Sequence, residues 1–260
     1  MFSVLFPGQG SQAVGMVQNL YNNFSYVKSL FKQADEILNI SLSKMILEGP
    51  RELLDETENT QPAIFLASYS IFNVIKKETS FNLNEANFFA GHSLGEYSAL
   101  ACAESITFEQ TIKLLKIRGN SMRTAVPSGE GGMLAVLGVE VSKVDEIINK
   151  NNHNFKCYIA NDNSNGQIVV SGKIKDLDLF SSELKKANIK NIKLPVSAPF
   201  HCELMKKATA IMRKEILSND FKIPRNYIIS NVTAKHSNDP NEIKDLLIQQ
   251  IEKPVRWRES

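Results

Sequence analysis

A serine set between two glycines, in the run Gly91-His92-Ser93-Leu94-Gly95, is the stretch of this chain best suited to covalent chemistry. The spacing G-x-S-x-G is that of a nucleophile elbow, a sharp strand-to-helix turn in which glycine tolerates close backbone contacts. Such a turn lifts the hydroxyl off a sheet, and the N–H of the following residue, Leu94, points to where an oxyanion would form. Three fixed positions match many unrelated turns, so the context has to agree. The apolar run Phe88–Ala90 reads as the strand before the turn, and the small-residue run Glu96–Ala103 as the helix after it.

A serine hydroxyl needs a base. Of the four histidines, His92 adjoins Ser93 and its side chain should diverge at the turn, while His153 and His236 lie in polar, loop-like runs. His201 lies in PVSAPFHCELM, where a strand gives way to a loop and a helix begins. Open α/β sheets place their sites at such strand ends, although a core or capping histidine fits the same place. No Asp or Glu between Ser93 and His201 falls at the end of a large-domain strand. The order Ser…Asp/Glu…His is therefore incomplete, and a backbone carbonyl could orient the imidazole instead.

Arg118 is the other residue out of place. On the helix predicted from Thr107 to Thr124, Phe108, Ile112, Leu114, Leu115 and Met122 form an apolar arc. At 100° per residue Arg118 falls inside that arc, whereas Lys113 and Lys116 face away. A guanidinium among core residues needs a partner. That partner is either a local carboxylate in a structural ion pair or the carboxylate of a substrate held bidentately.

Near the start, PGQGSQA (Pro7 to Ala13) follows the strand-like run Phe2 to Phe6 and satisfies G-x-G-x-x-G/A. A dinucleotide site would need a second strand about 20 residues on, ending in an acidic residue. Instead Phe24, Val27, Leu30, Phe31, Ala34, Ile37 and Leu38 recur at helical spacing, with Asp35 and Glu36 inside that helix. What remains is a tight turn with exposed N–H groups and two amide side chains, Gln9 and Gln12.

The elements that must position these residues point to an α/β fold with a mainly parallel sheet. A helix is predicted over 61–77, with Thr60 as N-cap and Pro62 in its first turn. Thr107 caps the helix that carries Arg118. From VPSGEGG onward the order becomes β-α-β-β-α-β: Met133–Val139, Lys143–Lys150, Tyr158–Ala160, Gln167–Ser171, Leu177–Ala187 and Ile189–Val196. That is the ferredoxin-like order. Residues 127–196 are thus expected to form an inserted ferredoxin-like subdomain, and 1–126 with 197–260 the large domain.

Composition narrows the function. The chain has 260 residues, 43% hydrophobic and 22% charged, with 30 Lys plus Arg against 28 Asp plus Glu. A net charge of +2 offers no basic stripe and no support for a nucleic-acid partner. Cys102, Cys157 and Cys202 show neither CxxC nor zinc spacing and fit a reducing compartment. No run approaches 18 apolar residues, and the first strand leaves no room for a signal peptide. A cytoplasmic protein away from the membrane is expected, with no metal.

Taken together and in order, FPGQGSQ, GHSLGEYSAL, Arg118 in KIRGNSM, NDNSNGQIVVSG, APFH and QQIEKPVRW resemble the acyltransferase family of fatty-acid and polyketide synthesis. Within it they resemble the malonyl-CoA:acyl carrier protein transacylases. The resemblance implies an α/β-hydrolase-like large domain with a ferredoxin-like insert. It makes Ser93 the acylated nucleophile, His201 its base, and the backbone N–H groups of Gln9 and Leu94 the oxyanion hole. Arg118 would grip the malonyl carboxylate, and Gln250 would hold His201 through its main-chain carbonyl. Phe200 occupies the position that goes with malonyl over methylmalonyl, and Asn163 falls among the substrate-binding positions. The implied partners are malonyl-CoA and acyl carrier protein, with no cofactor and a monomeric enzyme. The family normally continues for several dozen residues past PVRWRES, so a chain ending at Ser260 is expected to be truncated, with its stability and activity in question. A serine hydrolase or thioesterase, or a carrier-binding protein without activity, are the alternatives.

Overall fold

The computed structural model describes residues 2–196 and 198–260; residue 197, where the expected second large-domain segment starts, and residue 1 lie outside the described residues. In chain order the elements begin with β1 (Ser3–Phe6), α1 (Gln18–Asn23), α2 (Ser25–Leu38), α3 (Leu42–Leu47), α4 (Arg51–Asp55) and α5 (Thr57–Glu78). Then come β2 (Phe88–Gly91), α6 (Leu94–Cys102), α7 (Phe108–Thr124), β3 (Gly131–Leu137), α8 (Val141–Lys150), β4 (Cys157–Ser164) and β5 (Gln167–Lys173). The chain closes with α9 (Ile174–Lys186), β6 (Lys190–Lys193), α10 (Lys206–Ser218), β7 (Tyr227–Ile229), β8 (His236–Ser237) and α11 (Pro240–Gln250). These elements make a mixed α/β fold containing a parallel sheet.

Two compact units emerge. The first comprises Met1–Asn120, Glu215–Ser230 and Lys235–Asp245; the second comprises Ser121–Lys214, Asn231–Ala234 and Leu246–Ser260.

The first unit carries a sheet in the order β1-β2-β7-β8, with β1, β2 and β7 parallel and β8 antiparallel to β7. β2 is apolar because it is central; Phe89 and Ala90 are buried, as parallel strands covered on both faces must be. Its register pairs Phe6 of β1 with Gly91, so the turn after β1 and the elbow after β2 leave the sheet side by side.

Helix α5 begins at Thr57, a turn earlier than the sequence predicts. Thr60 is not its N-cap: its hydroxyl donates back to the carbonyls of Leu54 at 2.6 Å and Glu56 at 3.1 Å. Pro62 consequently sits in the second turn. The first turn escapes prediction because Thr57, Asn59, Thr60 and Gln61 are polar yet buried; they break the apolar period while packing like core residues. At α7 the prediction holds. The Gln110 N–H donates to Thr107 Oγ1 at 3.1 Å and Gln110 Oε1 accepts from the Thr107 N–H at 2.9 Å, a reciprocal capping box.

The second unit carries the antiparallel sheet β4-β5-β3-β6. Its core gathers Leu134, Val136, Ile168 and Val170 from the strands with Val144 and Ile147 of α8 and Leu177, Phe180 and Leu184 of α9. Each such fully buried side chain contributes roughly 1.5–3 kcal/mol. β6 ends at Lys193, short of the predicted Val196. Among the described residues no helix is long and apolar enough to cross a membrane.

Candidate active site

Gly91 closes β2, and α6 starts at Leu94, leaving His92 and Ser93 to turn the chain. Ser93 adopts φ 54° and ψ −107°, a region that side-chain-bearing residues rarely enter. Such a conformation costs on the order of 1–3 kcal/mol and persists only where the surroundings enforce it. They do so through the two glycines. A Cβ on Gly91 would lie 1.9 Å from the carbonyl carbon and oxygen of Gly95, and one on Gly95 would lie 2.6 Å from the Phe6 carbonyl oxygen. Gly91→Ala is therefore expected to lower stability by at least ~1–3 kcal/mol, as overpacking against backbone does. An unchanged melting temperature would show that the elbow can widen without this glycine.

The glycine turn after β1 lies against this elbow. The His92 N–H donates to the Phe6 carbonyl at 3.0 Å, and Gly95 also approaches the carbonyl of Pro7. Gln12 braces the turn: its Oε1 accepts from the Gly10 N–H at 2.8 Å, and its Nε2 donates to Asp55 at 2.7 Å. The Gln9 side chain donates to Thr57 Oγ1 at 3.3 Å, while its main-chain N–H has no acceptor among the described residues. The Leu94 N–H is in the first turn of α6, where no intrahelical acceptor exists.

Arg118, predicted to face the core, is 1% exposed. Its Nη1 donates to Gln61 Oε1 at 2.7 Å, and its Nη2 donates to Ser93 Oγ at 3.0 Å. The Tyr97 ring lies under the guanidinium, 5.6 Å from centroid to Cζ. Burial pulls the Arg118 pKa below that of a free guanidinium, with Tyr97 and Glu96 opposing it. Burial also pushes the Tyr97 phenol up to about 12, against the pull of Arg118. Lys113 does face solvent, in an ion pair with Glu109 at 2.6 Å. Lys116 does not: it is half-buried and donates to Asn59 Oδ1 at 2.9 Å.

Gln61 is the residue that sequence reading missed. Its only signal was the run of polar residues at the start of a strongly apolar helix.

The remaining candidates belong to the second unit. His201 is buried, at φ 57°, and its Nδ1 is 2.7 Å from the carbonyl oxygen of Gln250. Gln250 ends α11, so that carbonyl is one of the helix's terminal acceptors and carries the negative end of its dipole. With an acceptor fixed at Nδ1, the ring's proton belongs there and Nε2 is the nitrogen that carries the lone pair. The Gln250 side chain donates to Asn231 Oδ1 at 3.4 Å. His201 is not at the end of a strand of the parallel sheet, as predicted; it follows the antiparallel β6 on a loop. Phe200 beside it is buried, and its carbonyl accepts from Ser171 Oγ of β5 at 2.6 Å. Asn163 sits where the β4–β5 register slips, between Asp162, opposite Ile168, and Ser164, opposite Gln167. Ser93 with Arg118, and His201 with Gln250, are thus two hydrogen-bonded pairs, one in each unit.

The three cysteines are free and buried. Burial pushes the thiols of Cys157 and Cys202 up to about 12 and that of Cys102 well above its usual range. None supplies a thiolate at neutral pH. Among the described residues no cluster of three or more His, Cys, Asp or Glu is placed to hold a metal ion.

The acyl transferase domain family matches residues 4–260. A malonyl CoA-acyl carrier protein transacylase of Bacillus subtilis (strain 168) is 41% identical over 259 residues, covering 98% of this chain and 80% of that protein. The crystal structure of an acyl-carrier-protein-S-malonyltransferase from Bartonella henselae superposes with a TM-score of 0.96 at 40% identity, over 100% of this chain and 83% of its own. A type II PKS acyl-carrier protein has been solved in complex with its malonyl-transacylase; that structure matches with a TM-score of 0.93 at 35% identity, over 98% and 82% of the two chains. The chain belongs to the acyl transferase family, among its malonyl CoA-acyl carrier protein transacylases.

Proposed function

We propose that this protein moves a malonyl group from malonyl-CoA to the phosphopantetheine thiol of an acyl carrier protein, through a malonyl ester on Ser93. One observation carries the reading: a buried guanidinium, that of Arg118, sits 3.0 Å from the hydroxyl at a strained elbow. A general esterase has no use for a buried cation there, whereas a malonyl thioester brings a free carboxylate to meet it. The names of the relatives support the same substrate and the same carrier.

In this mechanism His201 takes the Ser93 proton as Oγ bonds to the thioester carbon. The N–H groups of Gln9 and Leu94 hold the resulting oxyanion. The C–S bond then breaks, and the CoA sulfur leaves with the proton from His201. The second half runs in reverse, with the carrier's thiol as nucleophile, and one shared site gives ping-pong kinetics. Gln250 keeps the His201 proton on Nδ1, in place of a triad carboxylate. Phe200 limits room for an α-branch, and Asn163 contributes to substrate binding.

We assign residues 127–196 to a ferredoxin-like subdomain, supported by the order of β3 to β6 and their helices and by the antiparallel sheet order. Chain order assigns residues 1–126 and 197–260 to the α/β-hydrolase-like domain, a division different from that of the compact units, which group 246–260 with the antiparallel sheet. The chemistry uses the chain's own residues and its substrates, with no cofactor. The enzyme works as a monomer in the cytosol, where its buried thiols stay reduced, and its balanced charge suits no nucleic acid.

The test is intact-mass measurement after mixing with malonyl-CoA, then with a holo acyl carrier protein. A malonyl adduct that passes to the carrier supports the reading. Release of free malonate with no transfer would make the protein a thioesterase, and no adduct at all would leave a carrier-binding protein.

Arg118→Ala separates the substrates. Losing a charged hydrogen bond of roughly 1.5–3 kcal/mol corresponds to about 10- to 150-fold in kcat/KM for malonyl-CoA. Acetyl-CoA, which lacks the carboxylate, should be unaffected or improved. An equal fall for both substrates would make Arg118 a structural residue.

A further inference from the structure

The bond from Arg118 to Ser93 has a consequence of its own. The guanidinium donates to two neutral acceptors among its partners, Gln61 Oε1 at 2.7 Å and Ser93 Oγ at 3.0 Å. A hydroxyl oxygen has two lone pairs, and attack on an acyl carbon needs one of them free and correctly aimed. A charged donor on Oγ draws electron density from it and holds the side chain on the Arg118 side of the elbow. A carboxylate is a stronger acceptor than a hydroxyl and matches the guanidinium fork. When it arrives, Nη2 has a better partner than Ser93, while Gln61 keeps Nη1 in place.

We infer that Arg118 restrains the Ser93 nucleophile through this bond, and that a carboxylate reaching the guanidinium releases it. Arg118 then selects substrates twice. It binds the malonyl carboxylate, and it keeps Ser93 slow toward electrophiles that arrive without one. A neutral acyl thioester meets a hydroxyl still tied to its guanidinium. The inference rests on Ser93 being the nucleophile, as proposed above.

The two halves of a substrate can be supplied separately to test this. Methanesulfonyl fluoride is a small neutral probe: serine Oγ bonds to its sulfur, the S–F bond breaks, fluoride leaves, and the serine proton passes to the base. Formate supplies a carboxylate small enough to sit beside it. The measurement is the rate of Ser93 sulfonylation, by intact mass and peptide mapping, as formate is titrated into the unmodified protein. Sodium chloride at equal ionic strength is the control.

Transferring one charged hydrogen bond from Oγ to formate should speed labelling by about tenfold, and the effect should saturate. Chloride should do much less. Arg118→Ala should label fast without formate and ignore its addition, and Arg118→Met repeats the test with the volume filled.

A wild-type rate that is unchanged or slowed by formate overturns the restraint, and slowing would show that the guanidinium activates Ser93 instead. These outcomes need no variant to fold. Sulfonylation at a residue other than Ser93 would overturn the assignment of the nucleophile and the inference with it, so the two failures are told apart by where the adduct maps.

Discussion

Ser93→Ala is expected to abolish the malonyl adduct and reduce transfer on the order of 10⁶-fold, the scale on which removal of a covalent nucleophile acts. The physical case is that nothing nearby substitutes. The elbow presents one side chain, and its φ of 54° is enforced by the Gly91–Gly95 contact, so the turn survives the substitution. The cysteines are buried and protonated, and so are poor nucleophiles at neutral pH. The substitution also removes one acceptor of the Arg118 guanidinium, which should lower stability by about 1–3 kcal/mol. Intact mass after malonyl-CoA treatment reads the first effect, and a denaturant titration reads the second. An adduct that persists in the alanine protein places the nucleophile elsewhere.

The next largest effect is expected at the base. His201→Ala should slow acylation by about 10²–10⁴-fold, the usual worth of a positioned general base. On the mechanism proposed above, the His201–Gln250 bond is what lets one imidazole serve without a carboxylate. A helix-terminal carbonyl fixes the proton on Nδ1 and leaves Nε2 unprotonated, as a triad carboxylate would, but without a buried anion. A carboxylate would in addition stabilise the imidazolium that forms during attack. The prediction therefore sits with a base steadied by a dipole rather than by a full charge. Added imidazole should restore part of the alanine protein's rate, because the space vacated is that of the ring. Rapid-quench acylation measures both. A wild-type rate in His201→Ala, or a loss that imidazole leaves untouched, would remove His201 from proton transfer and leave it a structural residue of its loop.

Local features were legible without coordinates because a few neighbouring residues determine them. Gly91, Ser93 and Gly95 specify the elbow within five residues, since the contact that demands glycine is between the turn's own two ends. The capping box of α7 is likewise contained in Thr107 to Gln110. The burial of Arg118 followed from its angular place on one helix. The order of strands and helices was readable on the same terms, with errors where the local signal was weak: the polar, buried first turn of α5 and the short β6. The resemblance added Gln250 and the oxyanion donors as names without geometry.

What lay beyond the sequence is what distant residues do to one another. That the glycine turn after β1 faces the elbow follows from the parallel register that sets Phe6 opposite Gly91. No periodicity encodes that register. That Arg118 holds Gln61 and Ser93, and that His201 meets the last carbonyl of α11, depends on how helices and loops dock. A side chain's own sequence window states only that it is polar and must be satisfied. Which acceptor satisfies it is decided when separate elements close around the same volume, and here that choice put a guanidinium on Ser93 and a peptide carbonyl on His201.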